Sequence, residues 1–147
     1  MKYTLPQAND LDKVISVFLY VGNAQNHDDE SIAKFCKFDA RQSKYYLAAC
    51  YFLGLVDSEG NQTEESKDAM ANNIAPKRYV YGKIVSHKDL SRIVAQLIIH
   101  KDEDAAYKCA ETIVVEDGKY HGSTAERRAD VMFKWCKIVV DFIKNNK

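Results

Sequence analysis

The sequence predicts a mainly α-helical protein built from two helical units in tandem, and three observations support this prediction. Apolar residues recur at helical spacing along most of the 147 residues. Cap and turn residues divide these periodic stretches into short helices. Each half has the same order of elements: an amphipathic helix, a short helix, and a longer capped helix. We therefore expect units at 1–73 and 74–147, joined at the stretch 72–76, where Asn and Pro disfavour helix.

The composition indicates a globular chain with no net charge. Hydrophobic residues make up 46% of the chain and charged residues 29%, with 21 basic residues balancing 21 acidic ones. The chain therefore lacks the overall basic charge of proteins that bind nucleic acid avidly and without specificity. Basic residues are nevertheless concentrated at 34–44, 77–92 and 127–144. A neutral protein with this distribution can still present one basic face.

No stretch of the sequence predicts export or membrane insertion. The amino terminus lacks a basic region followed by an apolar run, and the longest apolar runs are far shorter than the roughly 20 residues that span a bilayer. The cysteines have no C-x-x-C spacing and are Cys36, Cys50, Cys109 and Cys136. We expect reduced, buried thiols in a cytoplasmic protein with no membrane partner, rather than a disulfide or a zinc site.

The most informative part of the sequence predicts a short helix, a tight turn and a second helix. In the short helix, Ile32, Phe35 and Cys36 follow the i, i+3, i+4 spacing of one helical face. Asp28 or Asp29 can cap its start, because a carboxylate accepts hydrogen bonds from the free N–H groups and suits the positive end of the helix dipole.

The second helix of this pair has its own start and stop signals. Asp39 and Gln42 have the spacing of a capping box, which restarts a helix directly after the turn. Gly54 can end it in the left-handed conformation. The first turns of this helix are expected to expose Arg41, Gln42, Ser43, Lys44 and Tyr45. Such a helix is suited to an anionic ligand.

Three segments of this region carry a family resemblance. They are Ile32-Ala33, then Phe38-x-x-Arg41-Gln42-x-x-Tyr45-Tyr46, then Tyr51-Phe52-Leu53-Gly54-Leu55-Val56. Together they resemble a winged helix-turn-helix DNA-binding domain, and more narrowly the modules attached to prokaryotic restriction endonucleases and related transcription regulators. The stretch 55–61, a short strand entering a turn, occupies the place of the wing. In the second half, Thr124, Arg127, Arg128 and Trp135 match the family's order of a threonine, paired arginines and a tryptophan.

The resemblance implies a fold, a function and a set of contacts. The fold is mainly α, with tandem winged helix-turn-helix-like units and a short β wing, and the second unit is degenerate because no residues remain for a wing. The function is sequence-specific binding of double-stranded DNA, as a transcription regulator or as the recognition component of a restriction–modification system, with a homodimer or a nuclease subunit as partner. The expected DNA-binding residues are Lys37, Arg41, Gln42, Ser43, Lys44, Tyr45, Thr124, Arg127 and Arg128.

Two other functions remain as alternatives. The first is a protein-interaction adaptor that uses the same fold. The second, more remote, is a Mg²⁺-dependent nuclease, because Asp117-x-Lys119 follows an apolar stretch as the acidic residue and lysine do in restriction-type nucleases. No upstream strand supplies a second acidic ligand, and Asp-Gly is a common turn dipeptide. We therefore expect no catalytic residue, no metal, no cofactor and no enzymatic activity.

The last helix carries two further predictions. The stretch 123–126, Ser-Thr-Ala-Glu, has the spacing of a capping box and should start the helix. Trp135 lies at helical spacing with Val131, Val139 and Phe142, which predicts a core position in the second unit. The alternative is an exposed Trp135 that stacks on a nucleotide base or a partner.

Overall fold

The computed structural model describes residues 1–24 and 27–146, and this part of the chain is mainly helical, as predicted. Its eight α-helices are α1 (Leu11–Asn23), α2 (Asp29–Cys36), α3 (Ala40–Phe52), α4 (Glu64–Ala71), α5 (Pro76–Ser86), α6 (Leu90–Ala95), α7 (Glu103–Asp117) and α8 (Gly122–Asn145). One π-helical turn, Gln96–His100, continues α6. None of these helices combines the length and the apolar composition needed to cross a bilayer.

The contacts between residues divide the chain into two units, Met1–Lys83 and Ile84–Lys147. This division lies later in the chain than the predicted boundary after Asn73. The predicted linker contains the start of α5, and the first half of this helix packs in the first unit. There the ring of Tyr79 stacks on that of Phe18, with 5.9 Å between the centroids.

In the first unit, α1, α2 and α3 pack against one another. Their buried apolar side chains include Leu11, Val14, Val17, Phe18, Ile32, Tyr46, Ala49, Cys50 and Phe52. The predicted pair of helices forms, with a turn of three residues between α2 and α3. Phe35, which was expected to share a face with Ile32, is 58% exposed and packs on the ring of Tyr20 at 4.7 Å between centroids.

The predicted helix starts of this unit are confirmed. One carboxylate oxygen of Asp28 accepts a hydrogen bond from the Ser31 N–H at 2.8 Å. One carboxylate oxygen of Asp39 accepts a hydrogen bond from the Gln42 N–H at 2.9 Å. Each bond satisfies one of the N–H groups that have no partner within the first turn of a helix. The chain can therefore end α2 and start α3 within a few residues.

The predicted end of α3 is confirmed as well. Gly54 has a φ of 73°, in the left-handed region. The Leu55 N–H donates to the Cys50 carbonyl at 2.9 Å and the Gly54 N–H donates to the Tyr51 carbonyl at 3.0 Å. This pair of bonds is the Schellman motif, which satisfies the last carbonyl groups of a helix.

The predicted β wing does not form. Within the described residues, the one β pairing is an isolated antiparallel bridge between Val56 and Gln62. The Asp57 N–H donates to the Asn61 carbonyl at 2.8 Å, and the Asp57 carboxylate accepts hydrogen bonds from the N–H groups of Glu59 and Asn61. Because the hydrogen bonds of Asp57 form a tight turn directly after Val56, the two sides of the turn pair only through Val56 and Gln62.

Buried Gln62 connects this turn to α1. Its Nε2 atom donates to the Phe18 carbonyl at 2.9 Å. Gly22 makes this possible, because a Cβ atom at that position would lie 2.1 Å from Nε2 of Gln62. Gly22 is therefore a position of close approach inside α1.

In the second unit, α6 with its π-helical turn, α7 and α8 pack against one another. Trp135 is fully buried, which confirms the predicted core position. The predicted capping box at 123–126 is wrong. The N-cap of α8 is His121, without a side-chain hydrogen bond, and the helix begins at Gly122. Since Ser123 already lies inside the first turn, its hydroxyl cannot occupy the cap position.

Each unit contains, within itself, a contact from the thiol of one helix to a backbone carbonyl of another. The thiol of Cys50 in α3 donates to the Val14 carbonyl in α1 at 3.6 Å. The thiol of Cys136 in α8 donates to the Leu90 carbonyl in α6 at 3.7 Å. All four cysteines are free thiols. Burial raises the pKa of the Cys50 and Cys136 thiols, which keeps both protonated as donors.

The burial of Trp135 leads to a prediction about stability. Trp135→Ala should lower the free energy of unfolding by about 3–5 kcal/mol, because it leaves a cavity in the core of the second unit. Lys134→Ala, at the neighbouring exposed position of α8, should change it by less than about 0.5 kcal/mol. Urea unfolding followed by circular dichroism measures both. Equal effects of the two substitutions would contradict the core position.

The close approach at Gly22 leads to a second prediction. Replacing Gly by Ala within a helix ordinarily stabilises a protein by up to about 1 kcal/mol. We expect this gain for Gly82→Ala in α5, where nothing lies within 4 Å of the new Cβ atom. Gly22→Ala should be less stable than Gly82→Ala by about 1 kcal/mol or more, because it displaces the Gln62 amide from the Phe18 carbonyl. Thermal unfolding of the two variants provides the comparison, and equal stability would contradict the clash.

Candidate nucleic-acid interface

Five of the predicted DNA-binding residues lie in the first turns of α3 or in the turn before it, and we call this set the α3 face. It consists of Lys37 in the turn before α3 and of Arg41, Gln42, Lys44 and Tyr45 in its first turns. Lys37, Arg41 and Lys44 are exposed, whereas Gln42 and Tyr45 are half-buried. The predicted exposure of the basic residues at the start of α3 is therefore confirmed for Arg41 and Lys44.

Ser43, in contrast, is fully buried, and its predicted exposure is wrong. Its hydroxyl donates to the Asp29 carbonyl of α2 at 2.6 Å. The reason is the helical phase: Ser43, Tyr46 and Cys50 follow i, i+3, i+7 spacing and all three are buried. The periodicity of the apolar residues in α3 therefore indicated that Ser43 would be buried, although serine is more often found at the surface. Ser43 joins α2 to α3 and is not part of the α3 face.

Arg41 and Tyr45 interact one helical turn apart. The Nε–H of Arg41 donates to the hydroxyl oxygen of Tyr45 at 3.0 Å, and the guanidinium carbon lies 5.8 Å from the ring centroid. This hydrogen bond raises the pKa of the Arg41 guanidinium. Tyr45 therefore restrains the direction of the guanidinium group while Arg41 keeps its charge. Among the described residues, Arg41 forms no salt bridge.

Lys44 is the second cation of the helix and is almost unpaired. Its ammonium nitrogen lies 3.9 Å from a carboxylate oxygen of Asp29, and its side chain is 74% exposed. An ion pair this long and this exposed contributes little free energy. Lys44 can therefore exchange Asp29 for a phosphate oxygen at small cost.

The acidic residues around the α3 face reduce its net charge but are partly engaged elsewhere. The carboxylates of Asp28 and Asp39 cap α2 and α3, so their charge lies at the positive ends of two helix dipoles. The turn at 57–61, where the wing was expected, contributes Asp57 and Glu59 and no basic residue. This turn is therefore not suited to contact phosphate.

Lys37 has an unusual backbone conformation for a lysine. It ends α2 with a φ of 62°, in the left-handed region that glycine normally occupies. The next N–H, that of Phe38, donates to the Ala33 carbonyl at 3.1 Å. A side chain in this conformation costs about 1–2 kcal/mol. The chain thus carries a cationic side chain at a strained position in the turn between α2 and α3.

The expected residues of the second unit lie in the first two turns of α8. Thr124 and Arg127 are exposed, and Arg128 is half-buried. The guanidinium carbon of Arg128 lies 4.6 Å from the ring centroid of Tyr120. Arg128 is therefore held against a neighbouring aromatic ring, whereas the side chain of Arg127 extends into solvent.

The second unit contains an open cavity that the sequence did not predict, and we call it the α7–α8 cavity. Its volume is about 390 Å³, and it is lined by Tyr107, Glu111, Val114, Val115, Tyr120, Gly122, Ala125, Glu126 and Ala129. The Tyr107 hydroxyl donates a short hydrogen bond to the carboxylate of Asp130. This bond, with a smaller effect of burial and of nearby carboxylates, raises the pKa of Tyr107 to about 12. The sequence feature that could have indicated this cavity is the i, i+4 spacing of Tyr107 and Glu111, which places both side chains on one face of α7.

The segment expected to resemble a nuclease motif is helical. Residues 112–117 belong to α7, so the strand that the nuclease interpretation requires does not form. Glu116 accepts a hydrogen bond from Arg92 at 2.8 Å, in an ion pair between α7 and α6. In the described part of the chain, no group of three or more His, Cys, Asp or Glu side chains is arranged to hold a metal ion.

Comparison with known proteins identifies one family. The model of a domain of unknown function, DUF7226, matches residues 13–144, which include most of both units. No curated protein and no solved structure matches the chain. The description of the family names no activity, so the function has to be argued from the residues themselves.

The strained backbone of Lys37 leads to a prediction. Lys37→Gly should raise the free energy of unfolding by about 0.5–1 kcal/mol, because glycine adopts the left-handed conformation without a steric penalty. The same substitution at exposed Lys34, inside α2, should lower it by about 1 kcal/mol. Urea unfolding measures both, and a destabilising Lys37→Gly would contradict the left-handed assignment.

The Tyr107–Asp130 bond leads to a prediction about pH. Because the pKa of Tyr107 is raised to about 12 in the folded state, the bond contributes fully below the ordinary tyrosine pKa of about 10. Its contribution should be lost as the pH rises through about 12. Asp130→Asn should lower the pKa of Tyr107 toward its ordinary value, as measured by an NMR titration of the tyrosine Cζ carbon.

Asp141→Asn is the matched control, since Asp141 lies in the same helix and pairs with Lys137. It should leave the pKa of Tyr107 unchanged. A Tyr107 titration that does not differ between the Asp130 and Asp141 variants would show that the carboxylate of Asp130 is not its partner.

Proposed function

The chain belongs to the DUF7226 family, and we propose that it binds double-stranded DNA through the α3 face. The observation that carries this proposal is the exposed, cationic start of α3 directly after a tight turn. In helix-turn-helix proteins, the second helix lies in the major groove and its first residues contact the base edges. Arg41 and Gln42 occupy these positions here.

The side chains of the α3 face suit two kinds of contact. Arg41 can donate two hydrogen bonds to guanine and Gln42 can pair with adenine, and both contacts distinguish bases in the major groove. Tyr45 restrains the Arg41 guanidinium through its hydroxyl, which reduces the entropy lost when Arg41 binds a base. Lys37 and Lys44 carry exposed charges that suit contacts with phosphate oxygens.

This assignment favours specific over non-specific binding. The whole chain has no net charge, and the neighbouring turn at 57–61 is acidic. Phosphate contacts are therefore few, and affinity has to come from base contacts at a preferred sequence. Such a protein suits the role of a transcription regulator or of the recognition component in a restriction–modification system, which we propose from the resemblance of its first unit.

A protein-interaction adaptor is the second candidate function, and exposed apolar side chains favour it. Phe35 of α2 is 58% exposed, and in the second unit Ile99 is 71% exposed and Val115 is 77% exposed. An adaptor would use such side chains as anchors in a partner's pocket. An adaptor would not need an exposed arginine that, among the described residues, forms no salt bridge, as is the case for Arg41.

The DNA-binding proposal predicts different effects for the two cations of α3. Arg41→Ala should weaken binding to the preferred sequence by about 1–3 kcal/mol and relax the base preference at one position. Lys44→Ala should weaken binding to all sequences alike and reduce the dependence of log Kd on log salt by about 1. Fluorescence anisotropy with labelled duplexes, selected first from a random pool, measures both at two salt concentrations.

Lys67→Ala is the matched control. Lys67 is an exposed lysine of α4 that pairs with Glu64 at 3.3 Å, so this variant loses the same charge outside the α3 face. We expect this variant to bind DNA with the same Kd and the same salt dependence as the unsubstituted protein. If micromolar protein binds no duplex, or if affinity does not depend on salt, the DNA-binding proposal fails and the adaptor becomes the better account.

A further inference from the structure

The α7–α8 cavity combines features that DNA binding by the α3 face does not use. Its volume of about 390 Å³ lies within the range of small-ligand sites, which is about 300–1,000 Å³. Val114 and Ala129 are buried and form its apolar floor, and Gly122 and Ala125 leave room because their side chains are absent or small. The cavity can thus hold an apolar chain of a few carbon atoms.

The polar groups of the cavity are aromatic or acidic. Tyr107 and Tyr120 contribute aromatic rings, and Glu111 and Glu126 contribute exposed carboxylates. None of the described residues that line the cavity is a lysine, an arginine or a histidine. Aromatic faces and carboxylates both attract cations, and the combination favours a cationic over an anionic ligand.

One of the aromatic rings already holds a cation within the protein. The guanidinium carbon of Arg128 lies 4.6 Å from the centroid of Tyr120, well within the distance of a cation–π interaction. Arg128 itself does not line the cavity. Its position shows that a guanidinium group packs on the Tyr120 ring at this end of α8.

The other ring is fixed in place before any ligand arrives. The hydroxyl group of Tyr107 is held by Asp130 of α8, and Phe133 packs edge-on against the Tyr107 ring, with 5.6 Å between the centroids. A ring that is held at both its hydroxyl and its edge loses little entropy when a ligand binds. The cavity is therefore organised in the free protein.

From these observations we propose that the α7–α8 cavity binds an organic cation. The apolar stem of an alkylammonium or alkylguanidinium group lies on Val114 and Ala129, and its charged head lies between the carboxylates of Glu111 and Glu126. Long basic side chains and free amines share this chemistry, since both combine an apolar stem with a charged end. The source of the cation is therefore a free amine or a lysine or arginine side chain of another protein.

The test uses the full chain and small probes. The probes are n-butylammonium, n-butylguanidinium and the neutral n-butanol, and binding is followed by NMR shifts of the Val114, Val115 and Ala129 methyl groups. We expect saturable shifts with the two cations and a binding at least about tenfold weaker with n-butanol. Equal binding of n-butanol would show that the cavity selects only for apolar groups and would overturn the proposal.

Two variants examine the charge and the space separately. The double variant Glu111→Gln with Glu126→Gln should weaken binding of n-butylammonium by about tenfold, because it removes both charges while it keeps the shape of the side chains. Ala125→Leu fills the cavity without a change of charge and should abolish the shifts. Glu59→Gln removes a carboxylate from the first unit and should leave binding unchanged. Circular dichroism confirms that each variant is folded.

A second arm identifies the source of the cation. N-acetyl-lysine N-methylamide carries the same ammonium group on a peptide-like backbone. If it binds as tightly as n-butylammonium, the cavity accommodates a lysine side chain of a partner protein; if only n-butylammonium binds, the ligand is a free amine. The absence of saturable binding by every cation, or unchanged affinity in the double glutamine variant, overturns the proposal.

Discussion

The hydrogen bond from the Ser43 hydroxyl to the Asp29 carbonyl is the constraint on which the candidate interface depends. At 2.6 Å it joins α3 to the first turn of α2, and it requires Ser43 to face inward. Once the rotation of α3 about its axis is set in this way, the direction of every other side chain follows from helical geometry. Arg41 and Lys44 then face solvent, and Tyr46 enters the core.

Helix capping explains how a neutral protein can display a cationic helix. Carboxylates that would cancel the charge of α3 are used as helix caps, as Asp39 is at the start of α3 and Asp28 at the start of α2. Each satisfies N–H groups near the positive end of a helix dipole. Lys37 adds a charge between them at the expense of backbone strain. Local hydrogen bonding thus separates charges that cancel in the composition.

The second unit uses its helices differently. The thiol of Cys136 contacts the first helix of its unit as that of Cys50 does. The surface between α7 and α8, however, contains a cavity with aromatic and acidic sides, and Arg128, outside the cavity, packs on the ring of Tyr120. If both proposals hold, the first unit binds DNA, which is anionic, and the second unit binds an organic cation.

The sequence by itself determined the features that depend on neighbours within a few residues: the caps by Asp28 and Asp39, the stop at Gly54 and the core position of Trp135. The tertiary structure decided the bond between the Ser43 hydroxyl and α2, the exposure of Phe35 and the α7–α8 cavity. Caps and helical phase depend on hydrogen bonds and spacing inside one element. Burial and cavities depend on side chains far apart in the chain, as Gln62 and Gly22 demonstrate, and a single sequence does not specify that such residues meet.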